Sequence, residues 1–287
     1  MTSAEITSGT PAIYRPDAER ALAGVPRFTI GTLVSDRTHY AAMLSSFRAG
    51  GFDDNACEYI YIDNTGDITG AGQTDAYRGL NALLNAARAP YVVLCHQDVR
   101  LLADDFGTLD QRLAELTQRD PNWAVAGNAG GVAPGQLAVC ITDPHGKAQR
   151  AGTFPERVVS LDENFLVVRR DSRIGFSHDL SGFHFYGADI CLHAQHMGLT
   201  AYVIDFHLKH LSPGKMSHDF TLGRDAFRAK WSRALAPRWL QTTCALVHLS
   251  GDPLRTSIGL VVDAPLALLA RHLPKARGWK KQAPVSP

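Results

Sequence analysis

Three short apolar runs rich in β-branched residues, at 28–35, 58–63 and 91–95, are each followed by a polar loop and then by apolar residues at helical spacing. After the first come Asp36 and Arg37, then Tyr40, Met43, Leu44 and Phe47, with Gly50 and Gly51 ending the predicted helix. After the second come Asn64, Thr65, Gly66 and Asp67, then a predicted helix at 75–88. After the third come His96, Gln97 and Asp98, then Phe106, Leu109, Leu113 and Leu116, which mark one buried stripe. A fourth strand is expected at 123–127. Strand and helix alternating in this way predict an α/β fold, with a mostly parallel, doubly wound sheet flanked by helices. Ligands of such sheets bind beyond the carboxyl ends of the strands, so the loops after each strand carry the chemistry. The run 91–95 is apolar on both faces and belongs in the middle of the sheet.

The second half is less regular. Strands are expected at 137–142, 158–161, 165–169 and 200–204, and helices at 186–197, closed by Gly198, and at 220–235. The last fifty residues read as helical or irregular. The expected organisation is an amino-terminal extension at 1–26, one α/β domain at 27–213, and a helical carboxyl-terminal extension at 214–287 packed on the same domain. With 29 basic against 28 acidic side chains, the chain exerts no global pull on nucleic acid, and none is expected as a partner. Five widely separated cysteines with no C-x-x-C pair, and a first segment without an apolar core, point to the cytoplasm. The apolar run 258–270 is broken by Asp263 and Pro265 and is too short to span a bilayer. The tail carries Arg271, Lys275, Arg277, Lys280 and Lys281 with no acid. It reads as a solvated end, with peripheral contact to anionic lipid as the alternative.

The most informative segment is YVVLCHQD at 91–98, an apolar strand ending in two potential metal ligands one residue apart. In extended backbone His96 and Asp98 point the same way while Gln97 turns aside. Imidazole with carboxylate suits manganese or another first-row divalent ion, and magnesium more loosely. Asp143-Pro144-His145 and Asp205-Phe206-His207 have the same form, so position at the end of a central strand is what distinguishes His96-Gln97-Asp98.

Residues 28–37, YIDNTGD at 61–67 and NALLNAARAPYVVLCHQD at 81–98 resemble the nucleotide-binding half of the GT-A glycosyltransferases. Family 2 is the nearest group, in its subgroup with H-Q-D in place of D-x-D. The resemblance covers roughly residues 27–212. It implies a GT-A-like fold and a metal-dependent transfer, with inversion, from a nucleotide-sugar donor to a saccharide or lipid-linked hydroxyl acceptor. It further implies that Ser35, Asp36, Asp63, Asn64 and Asn81 hold the nucleoside. By the same resemblance His96, Asp98 and His210 hold Mn2+ or Mg2+, with His207 competing for the third place, and Asp189 is the base that deprotonates the acceptor. Three departures stand out: Asp63-Asn64 replaces the family's acidic pair, Thr65-Gly66 replaces its Gly-Ser, and Ala188 replaces the first acid of the pair ending at Asp189. A metal-dependent nucleotide-sugar hydrolase and a catalytically silent nucleotide-sugar binding module remain as alternatives. Gly130 and Gly131 read as a surface loop or as a close approach to the donor sugar. Trp231 and Trp239 read as anchors for the carboxyl-terminal helices, with acceptor stacking as the alternative.

Overall fold

A computed structural model describes residues 11–16, 24–66, 73–214, 217–241, 246–252, 254, 257 and 261. The basic tail at 271–281, Asp67 and the apolar run 258–270, apart from Val261, lie outside the described residues. The chain divides into two units, Met1–Phe227 and Arg228–Pro287.

In the first unit the chain forms β1 (Phe28–Val34), α1 (Arg37–Ala49), β2 (Cys57–Asp63), α2 (Ala76–Ala86), β3 (Tyr91–Cys95), β4 (Val99–Leu101), α3 (Phe106–Arg119) and β5 (Trp123–Gly127). Short strands follow: β6 (Ala129–Ala133), β7 (Gln136–Thr142), β8 (Ala148–Ala151), β9 (Glu156–Val158), β10 (Ser160–Leu161) and β11 (Phe165–Arg169). Then come α4 (Tyr186–His196), β12 (Thr200–Val203), β13 (Leu208–His210) and α5 (His218–Leu235), which runs on into the second unit.

Seven strands form the central sheet in the order β2-β1-β3-β11-β5-β12-β9. Neighbours β1 and β2, β1 and β3, and β5 and β12 are parallel, while β11 runs against both β3 and β5, and β9 runs against β12. The fold is therefore α/β with a parallel-rich but mixed sheet. A second sheet, β10-β6-β7-β13-β4 with β8 on β7, was anticipated only at 137–142 and 158–161. Its other strands, β4, β6, β8 and β13, are three to five residues long, and half-exposed β6 and fully exposed β8 lack the apolar runs that mark the first four strands of the central sheet.

Each face of the central sheet has its own core. On one, Leu80 and Leu83 of α2 and Ile190 and Ala194 of α4 cover Val92, Leu94, Leu166 and Val168. On the other, Met43 and Phe47 of α1 and Leu109, Leu113 and Leu116 of α3 cover Ile30, Val93, Phe165 and Val167. Strand alternation sends Val92 and Leu94 to one side and Val93 and Cys95 to the other, which explains why β3 is apolar throughout. Each such side chain contributes about 1.5–3 kcal/mol when taken fully out of water. Gly130 and Gly131 are strand residues paired with β10, not a loop. A Cβ at Gly130 would stand 2.3 Å from the Ser160 carbonyl oxygen, so the close pairing itself requires glycine.

The second unit departs from the helical or irregular expectation. After α5 the chain forms a two-stranded antiparallel hairpin, β14 (Arg238–Gln241) with β15 (Leu246–Leu249), and the Trp239 ring lies 4.8 Å from that of His248. Trp231 is buried in α5, whereas Trp239 is 41% exposed. Among the described residues no helix is long and apolar enough to cross a membrane.

Candidate active site

β3 stops at Cys95, and the turn that follows passes directly into β4, which pairs with β13 so that His210 lies opposite Val99. The Leu211 N–H donates to the Asp98 carbonyl at 3.1 Å and locks this junction. Three side chains from two distant segments thereby converge. His96 Nδ1 lies 3.2 Å from His210 Nε2, His210 Nε2 lies 3.4 Å from Asp98 Oδ1, and His96 Nδ1 lies 4.0 Å from the same oxygen. Among the described residues this is the one group of three such side chains close enough to share a cation. Ligand atoms about 2.1 Å from a cation, at right or tetrahedral angles, stand about 3.0–3.4 Å apart. Two of the three separations match that spacing.

Hydrogen bonding supports the same fit. With the Nδ1 lone pair of His96 turned into the cluster, its proton sits on Nε2, 2.8 Å from the Tyr186 hydroxyl. Tyr186 in turn donates to the Glu163 carbonyl oxygen at 3.1 Å. The chain Nε2–H to Tyr186 to Glu163 fixes the tautomer that leaves Nδ1 free to ligate. Burial holds the Tyr186 hydroxyl protonated, with the charge of Glu163 adding to the effect. Burial lowers the pKa of His96, reinforced by the neighbouring His210. For Asp98 burial works upward, but hydrogen bonds from His210 and Ser212 and the charges of both histidines outweigh it, so the carboxyl stays well below the usual range. Two imidazoles beside a carboxylate are the donor set a first-row divalent ion takes.

Beside this cluster lie the carboxyl ends of β1 and β2. Gln97 does not simply turn aside. Its Oε1 accepts from the backbone N–H groups of Ser35 and Asp36, both at 2.8 Å, and its Nε2 donates to Ser35 Oγ at 2.7 Å. Asp36 caps α1, accepting from the N–H groups of Thr38 and His39. Asp63 is held by Arg37 and by Thr65, whose N–H and hydroxyl donate at 2.9 and 2.6 Å. Burial raises the Asp63 pKa, yet the Thr65 hydrogen bonds and the Arg37 guanidinium prevail and keep it below its ordinary value. Ser35, Asp36 and Asp63 thus share one rim with the His96, Asp98 and His210 cluster.

Four expected site residues have other occupations. Asn64 spends its amide on the N–H and carbonyl of Thr74, bracing the connection into α2. Asn81 holds the N–H and carbonyl of Phe176, both at 2.9 Å, and is buried between α2 and that segment, so it does not reach the nucleoside rim. His207 bonds Thr142 at 2.8 Å and its N–H meets Asp104, which leaves His210 as the third member of the cluster. Asp189 is fully buried. Its oxygens accept from the Ser177 N–H at 2.8 Å and the Ser177 hydroxyl at 2.6 Å, and His193 lies beside it at 3.7 Å. A carboxylate so enclosed ties α4 to the 176–177 segment.

Glu163, Tyr186 and the clamping role of Gln97 were missed in the sequence. Glu163 meets the site through β11, whose reversed direction no spacing pattern announces, and Tyr186 meets it from the first residue of α4. Glu163 precedes β11, and its carboxyl lies at the amino end of α4, accepting from the Gly187 N–H at 3.4 Å.

No protein-family model matches the chain. Over 230 residues it is 34% identical to "ATP synthase subunits region ORF 6" of Fuscovulum blasticum, a match spanning 78% of this chain and 91% of that protein. The chain belongs to that protein's family. The relative's name states no activity. Among solved structures, it is similar to the mannosyltransferase PcManGT from Pyrobaculum calidifontis in complex with GDP-Man and Mn2+, at 16% identity and a TM-score of 0.49. That match covers 74% of this chain and 65% of the mannosyltransferase. It is also similar to S. aureus TarS in complex with UDP-GlcNAc, at 11% identity and a TM-score of 0.46, over 68% of this chain and 60% of TarS. The chain therefore spans less than two thirds of either structure.

Proposed function

We propose that this chain is a GT-A-like, divalent-metal-dependent glycosyltransferase that moves a sugar from a nucleotide-sugar donor to a hydroxyl acceptor with inversion. The observation that carries the proposal is the convergence of His96, Asp98 and His210 at the same sheet rim as Ser35, Asp36 and Asp63. Bond cleavage leaves negative charge on a nucleoside diphosphate, and a bound Mn2+ or Mg2+ offsets that charge without proton transfer. His96, Asp98 and His210 hold the cation, and Ser212 steadies Asp98. Asp63 reads the nucleoside, with Arg37 and Thr65 fixing its orientation. Gln97 ties the two halves together, since one side chain sits between the metal ligands and clamps the β1–α1 loop. Buried, unpaired Cys57, Cys95, Cys140 and Cys191 fit a reducing compartment such as the cytoplasm.

The test is a thermal-shift screen of nucleoside diphosphates with and without Mn2+. A ligand at 100 times its Kd stabilises the fold by about 2.7 kcal/mol. Stabilisation by one nucleotide that requires Mn2+, and its loss in Asp98→Ala, are the expected results. An Asp98→Ala protein that still responds to metal and nucleotide together would remove the basis of the proposal.

A further inference from the structure

The transfer reaction needs a group that takes the acceptor proton, and Asp189 is too enclosed to serve. β11 pairs antiparallel with β3, with Phe165 opposite Cys95. Continuing that register, the His96 N–H donates to the Asn164 carbonyl at 2.9 Å, which brings residue 163 alongside the His96-Gln97-Asp98 turn. The Glu163 side chain then packs on the first turn of α4. A Cβ built on Gly187 would lie 2.2 Å from the Leu161 carbonyl oxygen and 3.2 Å from the Glu163 Cγ, so glycine at 187 lets the 161–163 segment, Glu163 included, pack closely on α4. Tyr186 touches both partners, standing 2.8 Å from His96 Nε2 and 3.1 Å from the Glu163 carbonyl oxygen. Glu163 as a whole is intermediate in exposure, and its carboxyl sits against the first turn of α4, 3.4 Å from the Gly187 N–H.

We infer that Glu163 is the catalytic base toward the acceptor hydroxyl, an assignment that rests on the transferase function proposed above. In that step the acceptor O–H bond breaks and its proton passes to a carboxylate oxygen of Glu163. The hydroxyl oxygen bonds to the anomeric carbon, and the bond from that carbon to the diphosphate breaks, its electron pair leaving with the nucleoside diphosphate. The environment suits the task. Burial and the adjacent Asp162 push the Glu163 pKa up to about 8, against the pull of N–H groups from Gly187, Tyr186 and Phe185. The groups that face it are Asp162 on its own turn, Tyr77 from α2 and Tyr186 from α4. A base with a pKa near the working pH combines an ionised fraction with a useful proton affinity.

The test takes the full chain with Mn2+ and a panel of UDP-, GDP- and dTDP-hexoses. It follows release of nucleoside diphosphate across pH 6–9, with water standing in for the acceptor hydroxyl. Mn2+ affinity is measured in parallel by electron paramagnetic resonance. Glu163→Gln keeps the side chain's shape and its acceptor oxygen at the α4 terminus. The expected result is a turnover rate reduced by about 100-fold or more, loss of the rise in rate with pH near 8, and Mn2+ affinity within twofold of wild type. Glu163→Asp should restore part of the rate. Turnover by wild type that survives in Glu163→Gln overturns the assignment alone. Joint loss of turnover and Mn2+ affinity also overturns it, because the residue would then be holding the site's structure. A wild type that releases no diphosphate from any donor defeats the transferase proposal itself, and the assignment falls with it.

Discussion

Removing one oxygen, in Tyr186→Phe, separates a metal site from a chance meeting of two histidines. The Tyr186 hydroxyl is the partner of His96 Nε2 at 2.8 Å and donates its own hydrogen bond to the Glu163 carbonyl. When a cation occupies Nδ1, the imidazole has to keep its proton on Nε2, and without Tyr186 that N–H is left closed in with no acceptor. An unsatisfied group of this kind costs about 1–3 kcal/mol, or roughly 5- to 150-fold in affinity. Losses on removing a hydrogen-bond partner behind a metal-bound histidine are about 10- to 100-fold, the same range. Mn2+ Kd should therefore rise about 10- to 100-fold, measured by isothermal titration at pH 7.5, with the melting temperature in EDTA monitoring the fold. The phenyl ring keeps its packing against Tyr77 and Phe176, so the metal-free fold is expected to survive. An unchanged Mn2+ Kd in a folded variant would refute the tautomer chain and, with it, the role of His96 Nδ1 as a ligand.

Gln97→Ala should weaken binding of the nucleoside diphosphate about 2- to 10-fold through loss of about 0.5–1.5 kcal/mol of loop hydrogen bonding, while Mn2+ affinity stays within twofold; titration of the nucleotide at saturating Mn2+ checks this. Glu163 carries a folded-state pKa of about 8 against an ordinary 4.5. Its contribution to stability is thus fully present below pH 4.5 and is lost as pH rises through 8. Melting temperatures of wild type should fall relative to Glu163→Gln between pH 5 and 9, and parallel curves would contradict the raised value. Leu113→Ala, at a fully buried position on the α3 stripe, should cost about 2–5 kcal/mol in a urea titration.

Much of the first half of the fold was legible because its signals are local. The apolar run at Tyr91–Cys95 and the 106–116 stripe lie where strand and helix spacing put them, as do the paired polar residues after β1 and β2. His96 and Asp98 were paired on the expectation of extended backbone, but the structure brings them together on a turn in which the Val99 N–H donates to the His96 carbonyl at 3.4 Å. His210 lies 114 positions from His96 and joins it only through the β13–β4 pairing. No local pattern predicts that pairing, and a resemblance to a known family supplied the residue. Asp189 and Asn81 show the opposite failure. Both are polar residues on helices, and nothing in the spacing reveals that Ser177 and Phe176 will fold down and occupy them. Glu163 and Tyr186 had no signal at all, since each matters through what a reversed strand sets beside it.

That reversal sets how tolerant the rim is to change in length. The turn at 162–164 enters β11 head-on against the exit of β3, so each added or deleted residue shifts the acidic side chain away from the His96–Asp98 turn that the Phe165–Cys95 register sets beside it. Loops in general lengthen at small entropic cost, but here the count of residues is itself part of the chemistry. Homologues that keep Glu163 should therefore preserve the interval from Leu161 to Phe165 even where its other letters drift.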